Sequence, residues 1–135
     1  MEHEDLRTFT FFPLPEEEEI WAVCKDYPAY SVSTFGRVRN NKTGHILRSK
    51  PHSDRIYPLV HLRTDVPHSN GKYIYIHRLV AEAFCEKPDI DEELEIDHIN
   101  RIRNDNYYKN LRWTTHLKNN NNRDLPRPRV FKNKT

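Results

Sequence analysis

The sequence predicts an α+β protein, in which a small β-rich module precedes a compact unit of hairpin and helix. Three observations predict it. Short runs rich in β-branched and aromatic residues, broken by Asn, Gly and Pro clusters, fill residues 20–62. One later stretch places Leu79, Val80, Ala83 and Phe84 at helical spacing. Beyond Pro88, two more strand-like runs, Glu95 to Ile99 and Leu111 to Thr114, enclose a polar loop and lead into a short polar helix.

In chain order, Ile20 to Val23, Tyr30 to Val32, Gly36 to Arg39, Ile46 to Arg48 and Tyr57 to Leu62 are expected to be short strands of one small twisted sheet. Gly36 lies where the chain must turn between Val32-Ser33 and Val38, and Gly44 follows the turn cluster Asn40-Asn41-Lys42-Thr43. Basic residues Arg37, Arg39, Lys42, Arg48, Lys50, Arg55 and Arg63 hang from this sheet, with Arg37, Arg39, Lys42 and Arg48 as candidate DNA contacts. Tyr73 to Ile76 reads as a strand, followed by the amphipathic helix that Pro88 ends. His77 is expected to pack at that junction, and Trp21, Phe35, Phe84 and Trp113 to be core aromatics. Thr114 or Thr115 caps the last helix. The connection between the final two strands is about a dozen residues, a length that favours a functional loop.

A chain of 135 residues fits one domain or two small ones. The expected division is an acidic, flexible N-terminus over 1–18, a β-rich module over 19–66, the hairpin-helix domain over 72–123 and a basic flexible tail over 124–135. The net charge of +2 conceals segregation: residues 21–85 carry ten bases against four acids, and residues 86–97 carry seven acids against one base. Residues 98–135 are again basic, with ten bases and two acids, a pattern that suits a DNA-binding surface interrupted by the approach to a metal. Cys24 and Cys85 form no CxxC pair, which argues against a thiolate zinc site and for a reduced, intracellular protein. Phe9-Thr10-Phe11-Phe12 is too short for a signal peptide or membrane span, so no membrane is expected as a partner.

The chemistry concentrates at Asp97-His98, with Asn110 twelve positions on and Asn119 nine beyond that. Phosphodiester hydrolysis needs an activated water, charge neutralisation at the phosphoryl oxygens and help for the leaving oxygen. One divalent ion and one histidine together meet those needs. Asp97 is a hard oxygen donor suited to Mg2+ or Mn2+, and the amide oxygen of Asn119 is a candidate second ligand. His116, one turn earlier on the helix, competes for that role. Because strand neighbours point to opposite faces, Asp97 and His98 can serve one site only if the strand ends or distorts at His98. Arg112, alternating with Leu111, is placed to reach a phosphate, as are Arg101 and Arg103 in the loop, while Lys118 and Arg123 extend the basic surface.

Asp97-His98-Ile99-Asn100, Asn104-Asp105-Asn106, Asn110-Leu111-Arg112-Trp113-Thr114-Thr115-His116 and Asn119 together resemble the HNH endonucleases of the ββα-metal fold, especially those of phage homing endonucleases. The resemblance implies that His98 is the general base, that Asp97 and Asn119 bind the metal, and that Asn110 tethers the loop and helps hold the histidine. A glycine common in the family after the position of Asn100 is Arg101 here. Upstream, Trp21, Tyr30-Ser31-Val32-Ser33-Thr34-Phe35-Gly36-Arg37-Val38-Arg39, Gly44 and Leu47 resemble the small DNA-binding module that commonly precedes this nuclease type. Tyr73 to Phe84 resembles the strand and helix leading into such domains.

The expectation is a metal-dependent endonuclease, monomeric, that nicks or cuts duplex DNA with one Mg2+ or Mn2+ ion and acts as homing endonucleases do. The alternative is a DNA-binding protein that keeps the HNH scaffold without turnover.

Overall fold

A computed structural model describes residues 16–49, 57–64 and 69–121. Lys50, Arg55, Arg123, the tail over 124–135 and most of the acidic N-terminal stretch lie outside the described residues.

The architecture is α+β. Three strands, β1 (Trp21–Cys24), β2 (Tyr27–Ser33) and β3 (Val38–Asn40), form an antiparallel meander in the order β1-β2-β3. Ser33, Thr34, Phe35 and Gly36 make the tight turn between β2 and β3, with Gly36 N donating to Ser33 O at 3.0 Å. Expected strand Ile46 to Arg48 is reduced to one bridge, Arg39 to Ile46. The Gly44 turn brings the chain back beside β3 for only that length.

The strand at Tyr57 to Leu62 does not join this sheet. Its regular part, β4 (Leu59–Leu62), pairs antiparallel with β5 (Lys72–Tyr75), with Leu59 opposite Tyr75 and Leu62 opposite Lys72. Alternation along β4 buries Val60 and Leu62 completely, so its apolar face was legible while its partner was not. Helix α1 (Ile76–Phe84) starts directly from β5, one residue earlier than the alternation suggested. No side chain caps it; instead Ile76 N donates to Pro58 O at 3.1 Å, tying the helix start to the entry of β4. Ile76, Leu79, Val80 and Ala81 bury one face of the helix.

A second hairpin, β6 (Leu94–His98) with β7 (Leu111–Thr115), completes the fold and feeds the short helix α2 (His116–Asn121). Thr115 caps α2 as expected, accepting Lys118 N on its Oγ1 at 3.3 Å.

One apolar core joins these parts. Cys24, Tyr30, Val32 and Val38 from the meander pack with Val60, Leu62, Ile76, Leu79, Val80 and Leu111. Burying each of the larger aliphatic side chains contributes about 1.5–3 kcal/mol, so the upstream strands and the β6-β7 unit stabilise one another. Arg63 N also donates to Tyr30 Oη at 3.1 Å, linking β4 to β2. Among the described residues no helix is long and apolar enough to cross a membrane.

Candidate active site

The site is built where β6 stops. Asp97 and His98 are its last two residues and both are 5% exposed. The chain turns at once after His98: Arg101 N donates to His98 O at 2.8 Å, and Asn100 Oδ1 accepts Ile102 N at 2.9 Å. Arg101 completes the turn with φ +62°, a left-handed conformation in which glycine would be free of strain. Arginine therefore keeps the turn that the family's glycine would supply.

Asn110 holds this turn closed. It is fully buried and sits in a 3-10 turn (Tyr108–Asn110) just ahead of β7. Its Oδ1 accepts Asn100 N at 3.0 Å, while Nδ2 donates to Asn100 Oδ1 at 2.9 Å and to Asp105 O at 2.8 Å. Its carbonyl accepts Ile99 N at 2.8 Å. One amide side chain thus pins both ends of the loop.

The direct partner of His98 is a different residue. His98 Nε2 and Asn106 Oδ1 lie at hydrogen-bond distance, 2.8 Å, and Asn106 is 6% exposed. In the sequence, Asn106 belongs to the Asn104-Asp105-Asn106 run of the HNH resemblance, which implied no role for it. Its position just ahead of the paired aromatics Tyr107 and Tyr108, which carry that part of the loop inward, was the available signal.

The rest of the histidine's surroundings is aromatic. Tyr57 stacks on its ring at 5.5 Å with an 18° interplanar angle, and His77 meets it edge-on at 5.1 Å. Arg103 lies 5.2 Å over Tyr57. Burial pushes His98 below its ordinary pKa, against the opposing effects of the Asn106 hydrogen bond and the Asp97 and Asp105 charges. His77, packed at the β5-α1 junction as expected, also belongs to this cluster. Burial, with His98 and Arg78 nearby, lowers its pKa to about 3.

Asp97 faces Arg112 across the hairpin, and the guanidinium Nε and Nη2 each reach its Oδ2 at 2.9 Å. Arg112, half-exposed, is therefore engaged with the carboxylate as well as open to solvent. His116 is drawn elsewhere, with Nδ1 2.6 Å from Glu95 Oε2. Asn119 falls on α2, which packs against β6 and β7, but its side chain lies outside the described residues. Among the described residues no three His, Cys, Asp or Glu side chains gather as a metal cage. The buried Asp97 carboxylate, which already accepts a cationic partner, is a hard oxygen donor of the kind a divalent cation takes.

The basic residues occupy two areas. Arg37 and Arg39 flank Trp21, at 5.7 and 4.2 Å from the ring centroid, so this half-buried tryptophan belongs to a cation-π surface and not to the core. Arg37 also pairs with Glu19, its Nε 2.8 Å from Oε2. Lys42 and Arg48 are exposed beyond β3, and Arg103 and Lys118 are exposed near the His98 loop and on α2.

A β-hairpin with Asp-His at its first strand's end, a loop pinned by asparagine and a following helix define the HNH class. Residues 74–121 match the HNH endonuclease family and residues 19–63 match the NUMOD4 motif, so the chain carries an HNH endonuclease domain preceded by a NUMOD4 motif. Its relatives include an uncharacterized HNH endonuclease of Acanthamoeba polyphaga mimivirus, 34% identical over 82% of this chain and 27% of that protein. The H-N-H endonuclease F-TflII of Escherichia phage T5 is 34% identical over 62% of this chain and 41% of its own length. DNA endonuclease I-HmuI of Bacillus phage SP01 is 33% identical over 70% of this chain and 52% of its own. A solved structure of that HNH homing endonuclease, described as showing DNA binding and cleavage, superposes with a TM-score of 0.66 at 34% identity, covering 76% of this chain and 56% of that one. The chain spans between about a quarter and about half the length of these curated relatives.

Proposed function

We propose that this protein is a homing-type endonuclease that nicks or cuts duplex DNA with one Mg2+ or Mn2+ ion. The observation that carries the reading is the buried Asp97-His98 pair at the end of β6, with its loop locked by Asn110. His98, kept neutral by burial, takes the proton of the attacking water. Asp97 and Asn119 hold the ion, and Arg112 orients Asp97 from across the hairpin. When bound, the ion neutralises charge on the phosphoryl oxygens and stabilises the leaving oxygen. Arg101, Arg103 and Lys118 flank this site, while Arg37, Arg39, Lys42 and Arg48 of the meander hold the duplex backbone upstream.

The test is supercoiled plasmid incubated with the purified protein and Mg2+, Mn2+ or chelator. Metal-dependent nicking or linearisation is expected, lost by at least about a hundredfold in His98→Ala and Asp97→Ala. Retained cleavage in both variants would remove the mechanism. Salt-sensitive gel-shift binding with no cleavage by the parent protein would favour a binding scaffold without turnover.

A further inference from the structure

The NUMOD4 meander and the His98 loop touch at one close point. Gly36 has φ +87°, and a Cβ placed on it would lie 2.9 Å from both the Cβ and the carbonyl oxygen of Asn106. No side chain fits there. Asn106 is the residue whose Oδ1 lies 2.8 Å from His98 Nε2. Contacts continue on both sides of this point: Tyr108 N donates to Thr34 O at 2.9 Å, and the Phe35 and Tyr107 rings lie 6.4 Å apart.

The turn behind Gly36 is braced. Ser33, wholly buried, accepts Phe35 N and Arg37 N on its Oγ at 3.1 Å each, and its own N donates to Arg37 O at 2.8 Å. Thr34 N donates to Ile20 O at 2.9 Å. The turn is thus a fixed seat against which Asn106 rests.

We propose that the upstream module is a working part of the His98 site: the Thr34–Gly36 turn seats Asn106, and Asn106 is a positioning residue that fixes the His98 imidazole as its Nε2–H tautomer. The inference deepens the reading of His98 as the base and rests on it. A carbonyl oxygen only accepts, so the ring nitrogen facing it carries the hydrogen and Nδ1 is the nitrogen that takes a proton. A methyl group on Gly36 would displace Asn106 and release the ring. Arg37 follows Gly36 directly, so a phosphate held by Arg37 pulls on the same turn that orients the base.

Long-range 15N–1H imidazole spectra of the full chain test this, run beside single-turnover cleavage and duplex-DNA affinity. The parent protein is expected to show His98 as Nε2–H. Asn106→Ala and Gly36→Ala should both give a tautomer mixture and slow cleavage roughly 10–100-fold, with DNA affinity within about threefold. Asn106→Asp, which keeps the acceptor, should keep the Nε2–H form. If Gly36→Ala does not fold, Phe35→Ala reports on the same seat. An Nδ1–H form in the parent, or a tautomer indifferent to Asn106→Ala, overturns the positioning role; a spectrum unchanged by the seat variants overturns the seat. A parent protein that never cleaves but shows these tautomer shifts rejects the nuclease reading and leaves the positioning role standing.

Discussion

Arg112 closes on Asp97 from the position directly opposite it in the β6-β7 hairpin, both Nε and Nη2 resting on one carboxylate oxygen at 2.9 Å. A buried carboxylate is costly without a positive partner. Arg112 supplies that charge and also sets the rotamer that a metal ion would meet.

Arg112→Ala is therefore expected to lose about 1–2 kcal/mol of stability, less than the ~3–5 kcal/mol of a fully buried pair because the Arg112 side chain is 48% exposed. Mn2+ should restore part of that loss by taking the cation's place on Asp97. Denaturant titrations with and without Mn2+ check both; equal midpoints for parent and variant in chelator would refute the pairing energy.

Asn110→Ala should destabilise by about 2–4 kcal/mol, since it leaves Asn100 N and Asp105 O buried without their partner. Hydrogen exchange should locate the damage in residues 99–107. A loss below about 1 kcal/mol would mean that the loop closes without its tether.

Stability should fall in acid through His77. Its folded pKa is about 3 against an ordinary 6.5, so its contribution is complete above about pH 6.5 and declines as pH falls toward the folded value, because the unfolded chain takes up the proton first. One such group weakens the fold by about 1.4 kcal/mol per pH unit, or about 2 kcal/mol by pH 5. His98, depressed in the same direction, steepens the decline. The expected result is a flatter profile in His77→Phe; an unchanged slope would assign the acid sensitivity elsewhere.

Arg101→Gly should raise stability by up to about 1 kcal/mol by relieving the φ of +62°, the gain being net of the extra freedom glycine has when unfolded. Thermal melts compared at one pH suffice. A lower melting temperature would show that the Arg101 side chain contributes more than its backbone strain removes.

Arg39→Ala should weaken binding to duplexes of unrelated sequence by similar factors and reduce the slope of log K against log salt by about 1. A sequence-selective loss would mean instead that Arg39 reads bases beside Trp21.

Much of the site was legible because short-range rules govern it. Strand alternation required an interruption at His98, and β6 ends there; helix capping pointed to Thr114 or Thr115, and Thr115 caps α2. Pairings between distant segments were not legible. The apolar alternation of Val60 and Leu62 shows which face is buried but not which strand lies alongside, and β5 follows only after the intervening segment. Asn106 was hidden for a related reason. In sequence it is one more asparagine of a polar loop, and only the folded position of the loop brings its amide to His98. Trp21 was misplaced because size alone suggested the core, whereas two arginines, Arg39 in β3 and Arg37 just ahead of it, hold it at the surface.

The β4-β5 pairing also fixes where this protein can be divided. The two recognisable stretches end at residue 63 and begin at residue 74, which invites a cut between them. Such a cut would strip β5 of its one neighbour among the described strands, expose an unpaired edge and remove Tyr57 from the face of His98. A division that keeps β4 with β5 and Tyr57 with His98 lies upstream of Tyr57, and a segment replacing the meander must bring its own glycine turn to meet Asn106 and its own apolar face to the shared core.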